Sequence, residues 1–116
     1  MAGGISIHVV DVTRGIVAAG MRVEVHACEP RRLLASGTIA ANGVLDAPGL
    51  TATMAPGAYE VIFHAAEYYR HAKVALPSIP FVDVITFRFG IDQPTQHYHL
   101  PMKMTPWGYS CFRGGA

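Results

Sequence analysis

The sequence predicts an all-β protein, and three observations carry that expectation. Polar and apolar residues alternate with period two in several segments, turn residues interrupt those segments at short intervals, and helical spacing is nearly absent. Strands divided by turns about every ten residues build antiparallel sandwiches or small barrels. A chain of 116 residues has the length of one domain. With no internal repeat, low-complexity stretch or linker, residues 1–116 are expected to form a single unit.

The segments follow in order. Ile5-Ser6-Ile7-His8-Val9-Val10-Asp11 reads as a first strand with His8 set in an otherwise apolar run. Arg22-Val23-Glu24-Val25-His26-Ala27 alternates strictly, as a strand does when one face meets the core and the other meets solvent or a partner. In Tyr59-Glu60-Val61-Ile62-Phe63-His64 the residues Tyr59, Val61 and Phe63 share a face. Phe81 to Phe89 reads as a longer strand, rich in the aromatic and β-branched residues that suit a pleated surface. Only Ala65-Ala66-Glu67-Tyr68-Tyr69-Arg70 looks helical, and for a turn or two at most. Turn signals stand at Arg14-Gly15, Ala19-Gly20, Asn42-Gly43, Pro56-Gly57, Pro80, Gly90 and Pro106-Trp107-Gly108.

Composition narrows the functions. Hydrophobic residues make up 51% of the chain and charged residues 15%, a balance that sustains a buried core and excludes a disordered tail as the main body. The net charge of +1 comes from nine basic and eight acidic residues scattered along the chain, so there is no electrostatic footprint for nucleic acid or an anionic bilayer. Apolar runs fall well short of the roughly 18 residues a membrane helix needs. Met1, Ala2, Gly3 and Gly4 lead into the first strand with no basic region and apolar stretch of a secretory leader, which points to the cytoplasm. The two cysteines, Cys28 and Cys111, lack the spacing of a redox or zinc motif and are expected to be reduced.

Chemistry concentrates at histidines. His97-Tyr98-His99 places two imidazoles at i and i+2, on one face of a strand and about 7 Å apart along it. If the first and late strands approach, His8 joins them. Three convergent imidazoles suit a proton acceptor near neutral pH or a divalent metal site. The same pattern also reads as a solvated strand face with His8 as a hydrogen-bonded core residue, and spacing leaves both open. Arg113, in Phe112-Arg113-Gly114-Gly115-Ala116, reads as a solvated charge in a frayed end. Trp107 and Tyr109 read as hairpin packing beside a Pro-Gly turn, and His26, His64 and His71 stand alone as surface or core residues.

Taken in order, these stretches resemble the transthyretin-like family, whose enzymatic branch hydrolyses 5-hydroxyisourate in purine breakdown. The matching segments are Ile7-His8-Val9-Val10-Asp11, Gly20 to Val25, Asn42-Gly43 before Leu45-Asp46-Ala47-Pro48, Gly57 to Phe63, and His97-Tyr98-His99-Leu100-Pro101 through Pro106-Trp107-Gly108-Tyr109-Ser110. Together they cover nearly the whole chain. The resemblance implies a two-sheet β-sandwich of about eight strands with one short helix, assembled as a homotetramer, a dimer of dimers, with active sites in the channel between dimers. It implies catalytic roles for His8, His97 and His99 and substrate-binding positions at Arg113, Val44, Phe112, Gly114 and Gly115. No cofactor is implied; zinc would be an adventitious guest at His8, His97 and His99. The implied reaction opens a lactam ring: activated water attacks the carbonyl and positive groups stabilise the oxyanion.

Departures from that pattern bear on the substrate. Val44 stands where the hydrolases carry arginine after the turn, and Phe112, Arg113, Gly114 and Gly115 stand where they end Tyr-Arg-Gly-Ser. Loss of one donor aimed at transition-state charge costs on the order of 100- to 1,000-fold in rate. Three functions compete: hydrolysis of 5-hydroxyisourate itself, hydrolysis of an N-methylated relative whose methyl groups fill the apolar space at Val44 and Phe112, and non-catalytic binding.

Overall fold

The computed structural model describes residues 3–50 and 54–115. Met1 and Ala2, on which the expectation of a leaderless start partly rests, and Ala116 lie outside them. Among the described residues nine strands and one helix follow in the order β1 (Ile5–Asp11), β2 (Ile16–Val17), β3 (Arg22–Cys28), β4 (Arg31–Ile39), β5 (Leu45–Asp46), β6 (Gly57–Phe63), α1 (Ala65–His71), β7 (Ile85–Ile91), β8 (Tyr98–Thr105) and β9 (Gly108–Cys111). They form two sheets, ordered β2-β1-β8-β9 and β5-β4-β3-β6-β7, with the helix at the end of β6. This is the two-sheet sandwich with one short helix that the sequence predicts. No helix among the described residues is long and apolar enough to cross a membrane.

Alternation in the sequence becomes alternation in burial. Along β1, Ile5, Ile7, Val9 and Asp11 face the core while Ser6, His8 and Val10 lie on the outer side. Tyr59, Val61 and Phe63 of β6 turn inward together, and Tyr98, Leu100, Met102 and Met104 do so along β8. Ile7, Val9, Val23, Val25, Val61 and Phe63 are all fully buried, and burial of each such side chain contributes about 1.5–3 kcal/mol.

Asp11 is also fully buried, and two tyrosines of α1 account for it. The Tyr68 and Tyr69 hydroxyls each donate to its carboxylate at 2.9 Å, and the Arg14 backbone N–H adds a bond at 3.3 Å. Burial, followed by the bond to Asp11, pushes the Tyr68 phenol up to about 12; burial likewise raises Tyr69. Both tyrosines therefore stay protonated and donate, which ties α1 to the end of β1.

Three sequence readings are corrected. The strand expected over Phe81–Phe89 begins only at Ile85 and runs to Ile91, because Asp83 is taken up by the helix: its carbonyl accepts from the Ala66 N–H at 3.0 Å. Phe81 is left exposed and packs on Trp107 at the β8–β9 turn, with ring centroids 6.2 Å apart. Gly90, read as a turn, lies inside β7 opposite Ala58 of β6. The sheets are also not wholly antiparallel, since β1 and β8 run parallel from Ile5↔Tyr98 to Asp11↔Met104.

Candidate active site

The parallel pairing of β1 with β8 builds the site. Ser6 lies opposite His99 and His8 opposite Pro101, and in both strands these residues face away from the core. His97 precedes β8 and completes a row of three half-buried imidazoles on one outer face. Ser6 stands between two of them, with Oγ 2.7 Å from His97 Nε2 and 2.6 Å from His99 Nδ1. His97 Nδ1 lies 3.0 Å from the Gly3 carbonyl oxygen. Ser6 is the site residue that sequence reasoning passed over, although period two places it on the face of His8.

Backbone closes both ends of the row. At one end the Asn42-Gly43 turn folds over β1: the Val9 N–H donates to the Gly43 carbonyl at 3.0 Å, and Val44 pairs with His8 in an isolated antiparallel bridge. Gly43 has φ of +87°, and a Cβ there would stand 2.6 Å from His8 Nε2. Directly opposed residues share a side of a sheet, so Val44 sits on the histidine face. At the other end the chain continues beyond β9 along β8, with the Gly114 N–H donating to the His99 carbonyl at 2.7 Å and the Phe112 N–H approaching the Pro101 carbonyl at 3.4 Å. The frayed end expected for this stretch is thus corrected for residues 112–114: they extend the ladder. Gly115 is exposed, with open space around its Cα.

Arg113 lies at the rim. Its guanidinium carbon is 4.0 Å from the centroid of the Tyr98 ring, and Nη2 donates to Gln96 Oε1 at 3.0 Å and to the His97 carbonyl at 3.3 Å. Tyr98 is a core-facing residue, so Arg113 is held on the Tyr98 side of β8, beside the backbone of His97 and away from the ring nitrogens.

Burial, and then the nearby His8 and His97, hold the His99 imidazole below its ordinary titration range. That shift favours the uncharged ring, which has a nitrogen lone pair to offer. Among the described residues no three His, Cys, Asp or Glu side chains are grouped to hold a metal ion, and the Ser6 hydroxyl already occupies the position between His97 and His99. His8, His97 and His99 are each partly exposed on a single chain. A groove of about 400 Å³ lies elsewhere, beyond β2, lined by Arg14, Ile16, Glu67, Tyr68 and His71.

His26 and His64 do not stand alone as their isolation in the sequence suggests. Both reach Glu24 on the outer face of the other sheet, at 2.9 and 2.7 Å, and the bonds from His64 and His26 hold its carboxyl below the ordinary carboxylate range. Arg22 beside them grips Glu67 through Nε and Nη2 at 2.8 and 2.9 Å. The pairing of Glu24 with His26 was legible from the i, i+2 spacing; that of Glu24 with His64 needed the fold.

A sandwich with an imidazole row on the outer face of its β1–β8 sheet places this chain in a defined class. A model of the HIUase/Transthyretin family matches residues 5–114, and the chain belongs to that family. Among its relatives, a Rhizobium meliloti protein named 5-hydroxyisourate hydrolase 2 is 36% identical over 116 residues, covering 97% of each chain. The Deinococcus radiodurans 5-hydroxyisourate hydrolase is 39% identical over 114 residues, covering 96% of this chain and 95% of its own. Among solved structures, (S)-allantoin synthase superposes with a TM-score of 0.91 at 33% identity; the match covers 98% of this chain but only 44% of that longer protein. The Klebsiella pneumoniae 5-hydroxyisourate hydrolase shares the fold, with a TM-score of 0.81 at 23% identity.

Proposed function

We propose that this chain is a cyclic amide hydrolase that opens the lactam ring of 5-hydroxyisourate, giving 2-oxo-4-hydroxy-4-carboxy-5-ureidoimidazoline in urate breakdown. The observation that carries the reading is the imidazole row, with His99 held between Ser6 and Gly114. The names of the relatives agree with it. Water gives a proton to an imidazole, its oxygen bonds to the ring carbonyl carbon, the carbon–nitrogen bond breaks, and the proton returns to the departing nitrogen. His8 and His99 orient and deprotonate the water, and His97 supports them. Arg113 supplies positive charge at the rim and would turn from Gln96 to reach a substrate oxygen.

We place the site in a channel of a homotetramer, a dimer of dimers, and the free outer edges of β7 and β9 offer strands for pairing. A cytoplasmic setting fits the free thiols Cys28 and Cys111.

One observation favours a second substrate. Val44 lies on the His8 face, and Phe112 pairs with Pro101 next to His99, so apolar side chains flank the imidazoles where the resemblance led to expect arginine and tyrosine. An N-methylated 5-hydroxyisourate, formed when methylxanthines are oxidised, would place methyl groups there, whereas a ring N–H would lose its partner. Ultraviolet decay of freshly generated 5-hydroxyisourate and of its trimethyl analogue, with wild-type protein and with His99→Asn, separates the readings. Decay of the unmethylated ring abolished by His99→Asn supports the first, and selective decay of the methylated ring the second. Absence of both leaves a binding protein. Val44→Arg is expected to move preference towards the unmethylated ring.

A further inference from the structure

We infer that Ser6 is a positioning residue that sets the tautomer of His99, leaving Nε2 of that ring as the lone-pair nitrogen that takes the proton from water. The assignment follows from counting protons along one chain of hydrogen bonds. A carbonyl oxygen only accepts, so the 3.0 Å contact of Gly3 O with His97 Nδ1 places the N–H of His97 on Nδ1. A neutral imidazole carries one N–H, which makes His97 Nε2 an acceptor. Its partner at 2.7 Å is Ser6 Oγ, and the serine hydroxyl therefore donates its single proton there. With that proton committed, Oγ can only accept from His99, so the 2.6 Å contact is an Nδ1–H donating to serine. Nε2 of His99 is left with the lone pair.

For neutral rings the direction of each bond is set by the one before it, beginning at the Gly3 carbonyl, which can only accept. Gly114 bounds the same ring from the other side, since a Cβ there would meet His99 Cδ2 at 2.9 Å, so the imidazole is held by a hydrogen bond at Nδ1 and by packing at Cδ2. In the reaction a water O–H proton passes to the Nε2 lone pair while the oxygen forms its bond to the lactam carbon. The imidazolium keeps its Nδ1–H bond to Ser6, and Nε2 returns the proton to the ring nitrogen as the carbon–nitrogen bond breaks. His99 is the catalytic base; Ser6 acts through it, and His97 with Gly3 acts through Ser6.

The catalytic half of this inference rests on the hydrolase reading above, while the tautomer can be read without any substrate. Nitrogen-15 NMR of the histidine rings of the free protein, at mildly alkaline pH, is expected to find the proton of both His97 and His99 on Nδ1, and Ser6→Ala to shift His99 towards the Nε2–H form. A wild-type His99 protonated on Nε2 overturns the assignment. In turnover, Ser6→Ala is expected to lower kcat by about 10- to 100-fold with KM nearly unchanged, part of the roughly 100- to 10,000-fold that a positioned base supplies. Ser6→Thr, which keeps the hydroxyl, should restore most of it. An Ala variant with wild-type kcat, or a Thr variant as slow as Ala, refutes the positioning role. A wild-type protein with no turnover sinks the hydrolase reading alone, and the ring nitrogens still decide the tautomer.

Discussion

Gly114 packs edge-on against His99: its N–H donates to the His99 carbonyl at 2.7 Å, and a Cβ in its place would stand 2.9 Å from His99 Cδ2 and 3.1 Å from both Cγ and Cδ of Pro101. The end of the chain is thereby one wall of the histidine row. Gly114→Ala must push the imidazole off Ser6 or lift the tail from β8. Overpacking of this kind costs about 1–3 kcal/mol. Chemical denaturation should show that loss, and kcat should fall with it because the displaced ring is the base.

Gly43 makes the corresponding approach to His8, and here the backbone adds to the cost. Its φ is +87°, and a Cβ would lie 2.6 Å from His8 Nε2 and 2.7 Å from Val17 Cγ1. Gly15 has a φ of +69° with nothing within 4 Å of the added Cβ, which makes it the control. Gly15→Ala is expected to cost about 1–2 kcal/mol from backbone strain alone. Gly43→Ala should cost about 1–3 kcal/mol more through the clash, and the difference between the two melts measures it.

Asp11 accepts from Tyr68 and Tyr69 at 2.9 Å in a fully buried setting. Asp11→Asn keeps the shape but replaces one acceptor oxygen by an NH₂ that faces a tyrosine hydroxyl and the Arg14 N–H. Loss of a buried partner predicts destabilisation of about 1–3 kcal/mol, readable as a lower denaturation midpoint. Activity per folded molecule should change little, since the histidine row lies nearer the start of β1.

The depressed His99 titration links stability to pH with a definite sign. Unfolded, the imidazole has its ordinary pKa of about 6.5; folded, burial with His8 and His97 holds it lower. Between those values the unfolded chain binds more protons, so stability rises with pH there. The contribution is complete above about pH 6.5 and is lost as pH falls through the folded pKa. Melting curves of the wild type and His99→Asn between neutral and mildly acidic pH should converge on the acid side. A wild type that loses no more stability than the variant would contradict the shift.

Much of the fold was legible because burial follows local alternation. Period two in Arg22–Ala27 and Tyr59–Phe63 marked which side chains meet the core, and the helical look of Ala65 to Arg70 marked α1. The start of β7 was not legible. Nothing local in Phe81–Val84 announces that Asp83 is claimed by α1.

For the site, the sequence by itself determined the residue types and that His97 and His99, two apart, share one face of a strand; that His8 points outward on β1, and that Gly43 and Gly114 bound the histidines, needed the fold. Tertiary structure alone decided that β1 and β8 run parallel in the register Ser6↔His99, bringing Ser6 to His97 across 91 positions of chain. It also turned Arg113 onto Tyr98 and gathered His26 and His64 around Glu24. The reason is physical. Side-chain direction is set by the backbone of each residue and so is written locally, whereas which strands pair, and in what register, is set by the packing of the whole core.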